Sequence, residues 1–595
     1  MKPTIWTRYA TLAAGVVLAL GMSPAVFAQE SLEERLARQE KQIEEIRKNA
    51  EVLQKQNEAL MKLLSSGPAS TPVSTPGAAP LAADDVRSIV NGYLQEKEAQ
   101  QKAAQGDAST DADGKYKIGS DLRMSATWKN GLVISTTHDD FSMHIGGWVQ
   151  FDNVFWDQST LMRAAPGARP GPKQGVGYGV SGGGIGDLQD GTYFRRIRLQ
   201  TDGKFWENYE YTLTLALEND QFSTSGLDEF WVGATNIPVL GTVRFGHVKN
   251  AIGIEGDMSG SSKVMTFLER SSYSEAIELN QNFVTGLWVG NNYFDQRATW
   301  SGVLFRPDNG ASSGAFFGDG QYAAQGRLTA LPIFENDGRH LLHLGLSGGW
   351  RSGTNNLTTS ALKTVQLRAR AELRDDDPAG QGGVPTAPVA GGAQDIPNAN
   401  SNRMIDTGAI VANDDFLMGT ELLYILGPLS LQGEYGWNFV HNAIGFAPAG
   451  SKITNALASA QNYTFSGGYV QLAYTLTGEN RSYDKRLGRL DSYYFGRKGN
   501  LSNGWLVRDE DGRLNWSMGA WELAARYSYV DLNDGSGLNT IQGGRMDGLA
   551  LGLNWYLNDN MKFQFDYVYD HRYDLPSTAI PGSTRGLGMR VQFSY

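Results

Sequence analysis

The run GAWELAARYSYVD, residues 519–531, decides the fold. In an extended chain Trp521, Leu523, Ala525, Tyr527 and Tyr529 share one face, and Glu522, Ala524, Arg526 and Ser528 share the other. A period of two belongs to strands rather than helices. The same alternation recurs downstream. Leu549, Leu551, Leu553, Trp555 and Leu557 alternate with Ala550, Gly552, Asn554 and Tyr556, and Phe563, Phe565, Tyr567 and Tyr569 alternate with Gln564, Asp566 and Asp570. In the last such run Met589, Val591, Phe593 and Tyr595 alternate with Arg590, Gln592 and Ser594. The apolar faces are large and aromatic toward the strand ends, as in an interfacial girdle, while the polar faces carry charge. Short connections such as Asn558-Asp559-Asn560 alternate with long ones such as Pro378 to Asn402. Roughly sixteen to eighteen strand candidates lie between Lys115 and Tyr595. The predicted class is all-β: a transmembrane antiparallel β-barrel of about 16 strands, wide enough to hold water.

Composition agrees. The 595 residues include 72 Gly, 25 Tyr, 24 Phe and 14 Trp, and charged residues make up only 19%. With no cysteine, disulfide frameworks, thiolate metal sites and cysteine nucleophiles are excluded. The 52 basic residues are outnumbered by 63 acidic ones, a net charge of -11 that argues against nucleic acid as the main partner. No His pair has metal-ligand spacing with acidic support, no nucleophile elbow appears, and no cofactor is implied. The glycines of residues 175–191 lack the strand and helix that a phosphate-cradling loop needs, and so read as a loop.

Four zones precede or form the barrel. Lys2 and Arg8, the apolar run Ala10–Leu20, and small Val26 and Ala28 make residues 1–28 a secretory signal. Residues 29–64 are expected to form a coiled coil. Leu36, Ile43, Ala50, Asn57 and Leu64 repeat every seven residues beside a second seam of Leu32, Gln39, Ile46, Leu53 and Leu60. Residues 65–114 hold a Pro-rich linker and a short amphipathic helix, and 115–595 the barrel.

Arginine placement carries the functional signal. Arg368, Arg370 and Arg374 share a face of the segment Thr364–Arg374 with Glu372, opposite Leu367, Ala369, Ala371 and Leu373. This segment reads as a strand, and since arginine facing mid-membrane lipid costs ~2–4 kcal/mol, its arginines must look into the lumen. Arg195, Arg196 and Arg198 form a second cluster. Fixed cations in a narrow aqueous pore ease anion entry, and guanidinium forks match phosphate oxygens. The bland alternative is that these arginines pair with acids across the lumen and brace the barrel.

Several blocks in order, RRIRLQTDGKF at Arg195, VRFGHVKNAIGIEG at Val243, FLERSS at Phe267, VQLRARAEL at Val365, RMIDTGAI at Arg403, YVQLAYTLTGENRSY at Tyr469 and LGLNWYLNDNMKFQFDYVY at Leu551, resemble the phosphate-selective porin O and P family. The resemblance implies a sixteen-stranded, trimeric outer-membrane barrel whose pore is narrowed by one inward loop. Residues 251–282 look like that loop. By resemblance Ser261, Ser262, Lys263 and Arg270, with Arg195, Arg196 and Arg198, make the anion-binding constriction, and Arg368, Arg370 and Arg374 an arginine ladder leading inward. The expected function is passive diffusion of phosphate or polyphosphate-like anions. The expected partners are these anions, outer-membrane lipid and two further copies of the chain. The coiled coil would lie in the periplasm, helping to trimerise or tethering the barrel to peptidoglycan. Lys263 stands among Asp257, Met258 and Glu269, a departure from a lysine-rich loop. Two other readings stay open: a general or organic-anion porin without phosphate preference, and a structural outer membrane–cell wall tether.

Overall fold

Sixteen antiparallel strands close into a ring in the computed structural model. It describes residues 116–163, 183–217 (except 187 and 189), 227–257, 263–278, 283–307, 322–355, 363–374, 403–446, 455–495, 505–508, 514–516 and 518–595 (except 578). The expected signal peptide, coiled coil and linker, and also Ser261 and Ser262, lie outside the described residues. The strands are β1 Ser142–Gln158, β2 Gly191–Phe205, β3 Tyr209–Ala216, β4 Leu227–Ile237, β5 Gly241–Lys249, β6 Phe283–Tyr293, β7 Ala298–Phe305 and β8 Ala323–Glu335. They continue as β9 His340–Ser352, β10 Asp414–Leu426, β11 Leu429–Phe446, β12 Asn455–Thr475, β13 Ala520–Asp534, β14 Ile541–Asn558, β15 Met561–Tyr573 and β16 Gly582–Ser594. Each pairs with its neighbours in sequence, and β16 pairs with β1 from Thr584↔Gln158 to Ser594↔Trp148, which closes the ring. Closure leaves no free edge, the condition a sheet must meet inside lipid.

The alternation read in the sequence settles which face is which. On β10 Phe416, Met418, Leu422 and Leu426 are exposed, whereas Asp415 and Glu421 are buried. That arrangement is inverted relative to a soluble protein and places the apolar face toward lipid. Near one rim Trp521, Trp555 and Phe563 stack with centroids 5.1 and 5.6 Å apart, at the depth where amphipathic rings sit in membranes.

Among the described residues, parts of three long connections lie in the lumen. The first connection, 250–282, follows β5. The second, 353–413, follows β9, and in it Arg368–Arg370 pairs with Arg403–Asp406. The third, 476–519, joins β12 to β13 at the rim of the short turns, and its hairpin Arg481–Asp484/Arg489–Phe495 packs inside. The first two share an apolar core. Ile252, Tyr273 and Ile277 pack with Leu367, Ala369, Met404 and Ile405 against Leu417, Val440, Phe465 and Val530 of the wall. The segment 364–374 is therefore not a barrel strand. Leu367 and Leu373, expected to face lipid, are buried in the lumen at 0% and 3% exposure, because an insertion that covers apolar wall needs an apolar face of its own.

Candidate functional site

The first insertion leaves the wall at Gly253, whose φ of +67° and contact with the Glu278 carboxylate suit only a residue without Cβ. From there side chains of the wall and of the rim hairpin hold its backbone. Arg481 Nη2 donates to Val264 O at 2.7 Å, Asn554 Nδ2 to Thr266 O at 2.8 Å, Arg590 Nη1 to Leu268 O at 2.8 Å, and Arg526 Nη1 to Glu269 O at 3.0 Å. In return Asp566 accepts from Leu268 N at 2.6 Å, and Glu372, on the second insertion, accepts from Ser272 N at 2.8 Å. Arg526 locks both insertions together: it lies 2.8 Å from Glu372, 3.5 Å from Glu255 and 4.6 Å from the Phe267 ring. These groups are buried, so each hydrogen bond satisfies a donor or acceptor that water does not reach.

What remains open is a cavity of about 1230 Å³ bounded largely by β1–β7, the first insertion and the rim hairpin. Arg195, Arg196, Arg198, Lys263, Arg270 and Arg374 all line it. A bulge explains how Arg195 and Arg196, adjacent in sequence, reach the same side. Gln150 pairs with Arg196 and Phe151 with Phe194, leaving Arg195 as the extra residue of β2. One inserted residue shifts the pleat, so two consecutive side chains point inward. Arg368 and Arg370 are not among the lining residues. Arg370 instead lies 3.5 Å from Glu275, which Arg403 also contacts at 2.6 Å.

The arginines differ in how their charge is compensated. Arg198 pairs with Asp228 at 3.1 Å, and Arg195 grips Glu269 with Nε at 2.7 Å and Nη2 at 3.1 Å. Arg196 donates to the neutral Gln150 Oε1 at 2.9 Å, and Arg270 to the Glu255 backbone oxygen at 3.0 Å. Neither makes an ion pair among the described residues.

A family model for the phosphate-selective porin O and P matches residues 177–384 and 386–595. The chain belongs to that family. It is an outer-membrane porin, a channel rather than an enzyme. It is 24% identical to Porin O of Pseudomonas aeruginosa over 447 residues, 74% of this chain and 85% of that one. An uncharacterised Caulobacter vibrioides protein is 26% identical over 66% of this chain and 63% of its own length. Among solved structures, the anion-selective porin from Comamonas acidovorans covers 76% of this chain and all of its own at 10% identity and a TM-score of 0.39. The closure of this porin's ring rests on its own strand register.

Sequence reasoning missed part of the cavity's charge. Arg244 lies 4.1 Å from the Trp231 ring and 4.7 Å from that of Trp288 and pairs with Glu210 at 3.0 Å, while Arg486 and Arg489 enter from the rim hairpin. Arg244 stands in the quoted VRFGHVK block, and only its inward face, opposite exposed Phe245, signals the lumen. For Arg486 no signal was available, because a connection among the short turns gives no reason to expect it inside the barrel.

Two acids on the insertions are held ionised. Burial alone would raise Glu269, but Arg195, Arg196 and Arg374 keep it well below the usual carboxylate range. Glu275 is likewise opposed by burial, yet Arg403 and Arg370 bring it down to about 2. Lys263, 4.5 Å from the Trp148 ring, is pushed down to about 8 by burial. Its charge is thus present at pH 7 and lost as pH rises through about 8. Anion preference of the porin is expected to weaken between pH 7 and 9, read as a shift in reversal potential. Lys263→Arg, whose guanidinium stays charged, is expected to flatten that profile; an identical shift in the variant would remove Lys263 from the site.

Proposed function

We propose that this porin passes small anions by electrostatic capture and handover, with phosphate and polyphosphate-like solutes its first substrates. The observation that carries the reading is the pair Arg196 and Arg270, which line the cavity and hydrogen-bond neutral oxygens, with no carboxylate in direct ion-pair contact among the described residues. An anion entering there exchanges water for guanidinium forks, and neighbouring lining arginines offer the next seat. Ser261 and Ser262, close in sequence to Lys263, are proposed to supply hydroxyls, and Arg368 and Arg370 to raise the local potential from behind the cavity wall. The porin is proposed to act as a homotrimer in outer-membrane lipid, with residues 1–28 as its signal and the coiled coil on the periplasmic side, assisting trimerisation or meeting peptidoglycan.

The test is the reversal potential in a planar bilayer under a KCl gradient, followed by added phosphate. A unit charge ~4 Å from a permeating ion is worth about 1 kcal/mol in water-like surroundings, roughly fivefold. Arg196→Gln and Arg270→Gln are each expected to lower the anion-to-cation permeability ratio by about that factor. Unchanged selectivity in both would defeat the reading. A general porin is the second reading, favoured by Asp202, Glu210, Asp228 and Glu229 on the same cavity. Cation preference without phosphate block would select it.

A further inference from the structure

The arginine cluster already contains an anion. Besides the forked grip of Arg195, Glu269 has Arg590 Nη2 3.4 Å from its Oε1 and Arg374 Nε 3.6 Å from its Oε2. Its side chain is 9% exposed but lines the cavity. Behind it the seat is fixed, since Arg590 is itself clamped by Asp152 at 2.7 and 2.6 Å. In front it is loose, because Arg374 stands beyond hydrogen-bond reach and is one-third exposed. The carboxylate makes the two N–H···O contacts with Arg195 that a phosphate oxyanion would make.

We propose that Glu269 is a specificity-determining residue of this porin: a resident counter-anion that occupies Arg195 until a permeating anion displaces it toward Arg374. The inference rests on the cavity being an anion path. Its physical content is competition. An arriving phosphate gains Arg195 only by moving Glu269, so net binding is weak, and the return of the carboxylate hastens release. Both effects suit a channel, which must not hold what it conducts. Without Glu269 the same arginines become a trap.

The experiment compares the full-length wild type with Glu269→Gln in planar bilayers, titrating inorganic phosphate against chloride current. The half-blocking phosphate concentration is expected to fall on the order of tenfold and the duration of each block to lengthen by a similar factor, the scale of one charge-assisted forked contact. The reversal potential should move toward that of the anion. If Glu269 merely braced the insertion, its loss would open the pore and weaken the block, the opposite sign, and that result or an unchanged block overturns the proposal. Should the Gln variant fail to fold, Glu269→Asp keeps the charge but shortens the reach, and is expected to tighten block by about threefold; no tightening there also overturns it. A wild type that prefers cations overturns the anion-path reading itself, whereas an anion-selective wild type whose block the variants leave unchanged overturns the role of Glu269 alone.

Discussion

Replacing Arg526 by leucine is expected to raise single-channel conductance several-fold and to erase ion selectivity, in a barrel that still folds. Arg526 is 1% exposed and holds Glu372, Glu255, the Glu269 carbonyl and the Phe267 ring at once. Leucine fills part of the volume but leaves two carboxylates in the lumen without their cation. Breaking a buried pair by removing one partner costs about 3–5 kcal/mol. The ring does not bear that cost, because its strands are joined by backbone hydrogen bonds that Arg526 does not make. It falls on the packing of the insertions, which can relieve it by leaving the wall and letting water reach Glu372 and Glu255. Conductance in a planar bilayer, beside the heat-dependent gel migration of a folded barrel, measures both halves of the expectation. Arg526→Lys should give a smaller change, since it keeps the charge and loses the fork. A leucine variant with wild-type conductance would show that the insertions do not depend on this residue.

The second large effect is expected from replacing residues 478–518 with a two-residue turn. The flanking strands are already joined there, with Leu476 N donating to Trp521 O at 2.7 Å and Thr475 opposite Glu522, so a short turn can close them. The replacement removes Tyr483 and Leu490 from a core shared with Ile254, Leu341 and Leu423, and removes Arg486 and Arg489 from the cavity. Conductance should rise about twofold or more as the rim hairpin leaves the cavity it lines. Anion preference should persist, because Arg196 stays on β2 and, although Arg481 is lost, Asn554, Arg526 and Arg590 still hold the insertion that carries Arg270. Loss of preference at raised conductance would instead locate selectivity in the rim hairpin.

How far the sequence could be read follows from where each residue sits. The run 519–531 alternates on β13 as its pattern requires, and Arg526, visible on its polar face, lies in the lumen at the centre of the insertion network. Strand patterning is legible because lipid imposes one chemistry on every outward residue. The second insertion defeated the same reasoning. Arg368, Ala369, Arg370 and Ala371 also alternate, but the apolar side meets Tyr273 and Ile277 rather than lipid, and a period of two does not say which apolar medium it faces. The doubled arginine of β2 was legible as a cluster but not as a bulge, since a single inserted residue is defined only by its partner strand. Glu269 looked like a departure from a basic loop; only the distances to Arg195, Arg374 and Arg590 give it a place.

The closure of β1 against β16 also sets a timetable for biogenesis. Gln150 finds Gln592 across 442 positions of chain, so the ring stays an open sheet with two bare edges until its last strand docks. The residues that fasten the first insertion, Arg481, Arg526, Asn554, Asp566 and Arg590, all come from the C-terminal quarter of the chain, long after residues 251–278 have been made. Residues 251–278 are thus synthesised well before the residues that fasten them. An assembly intermediate stalled before β16 would lack the Arg590 clamp on Leu268, so quality control that senses the bare edges would at the same time screen for barrels whose first insertion is not fully fastened.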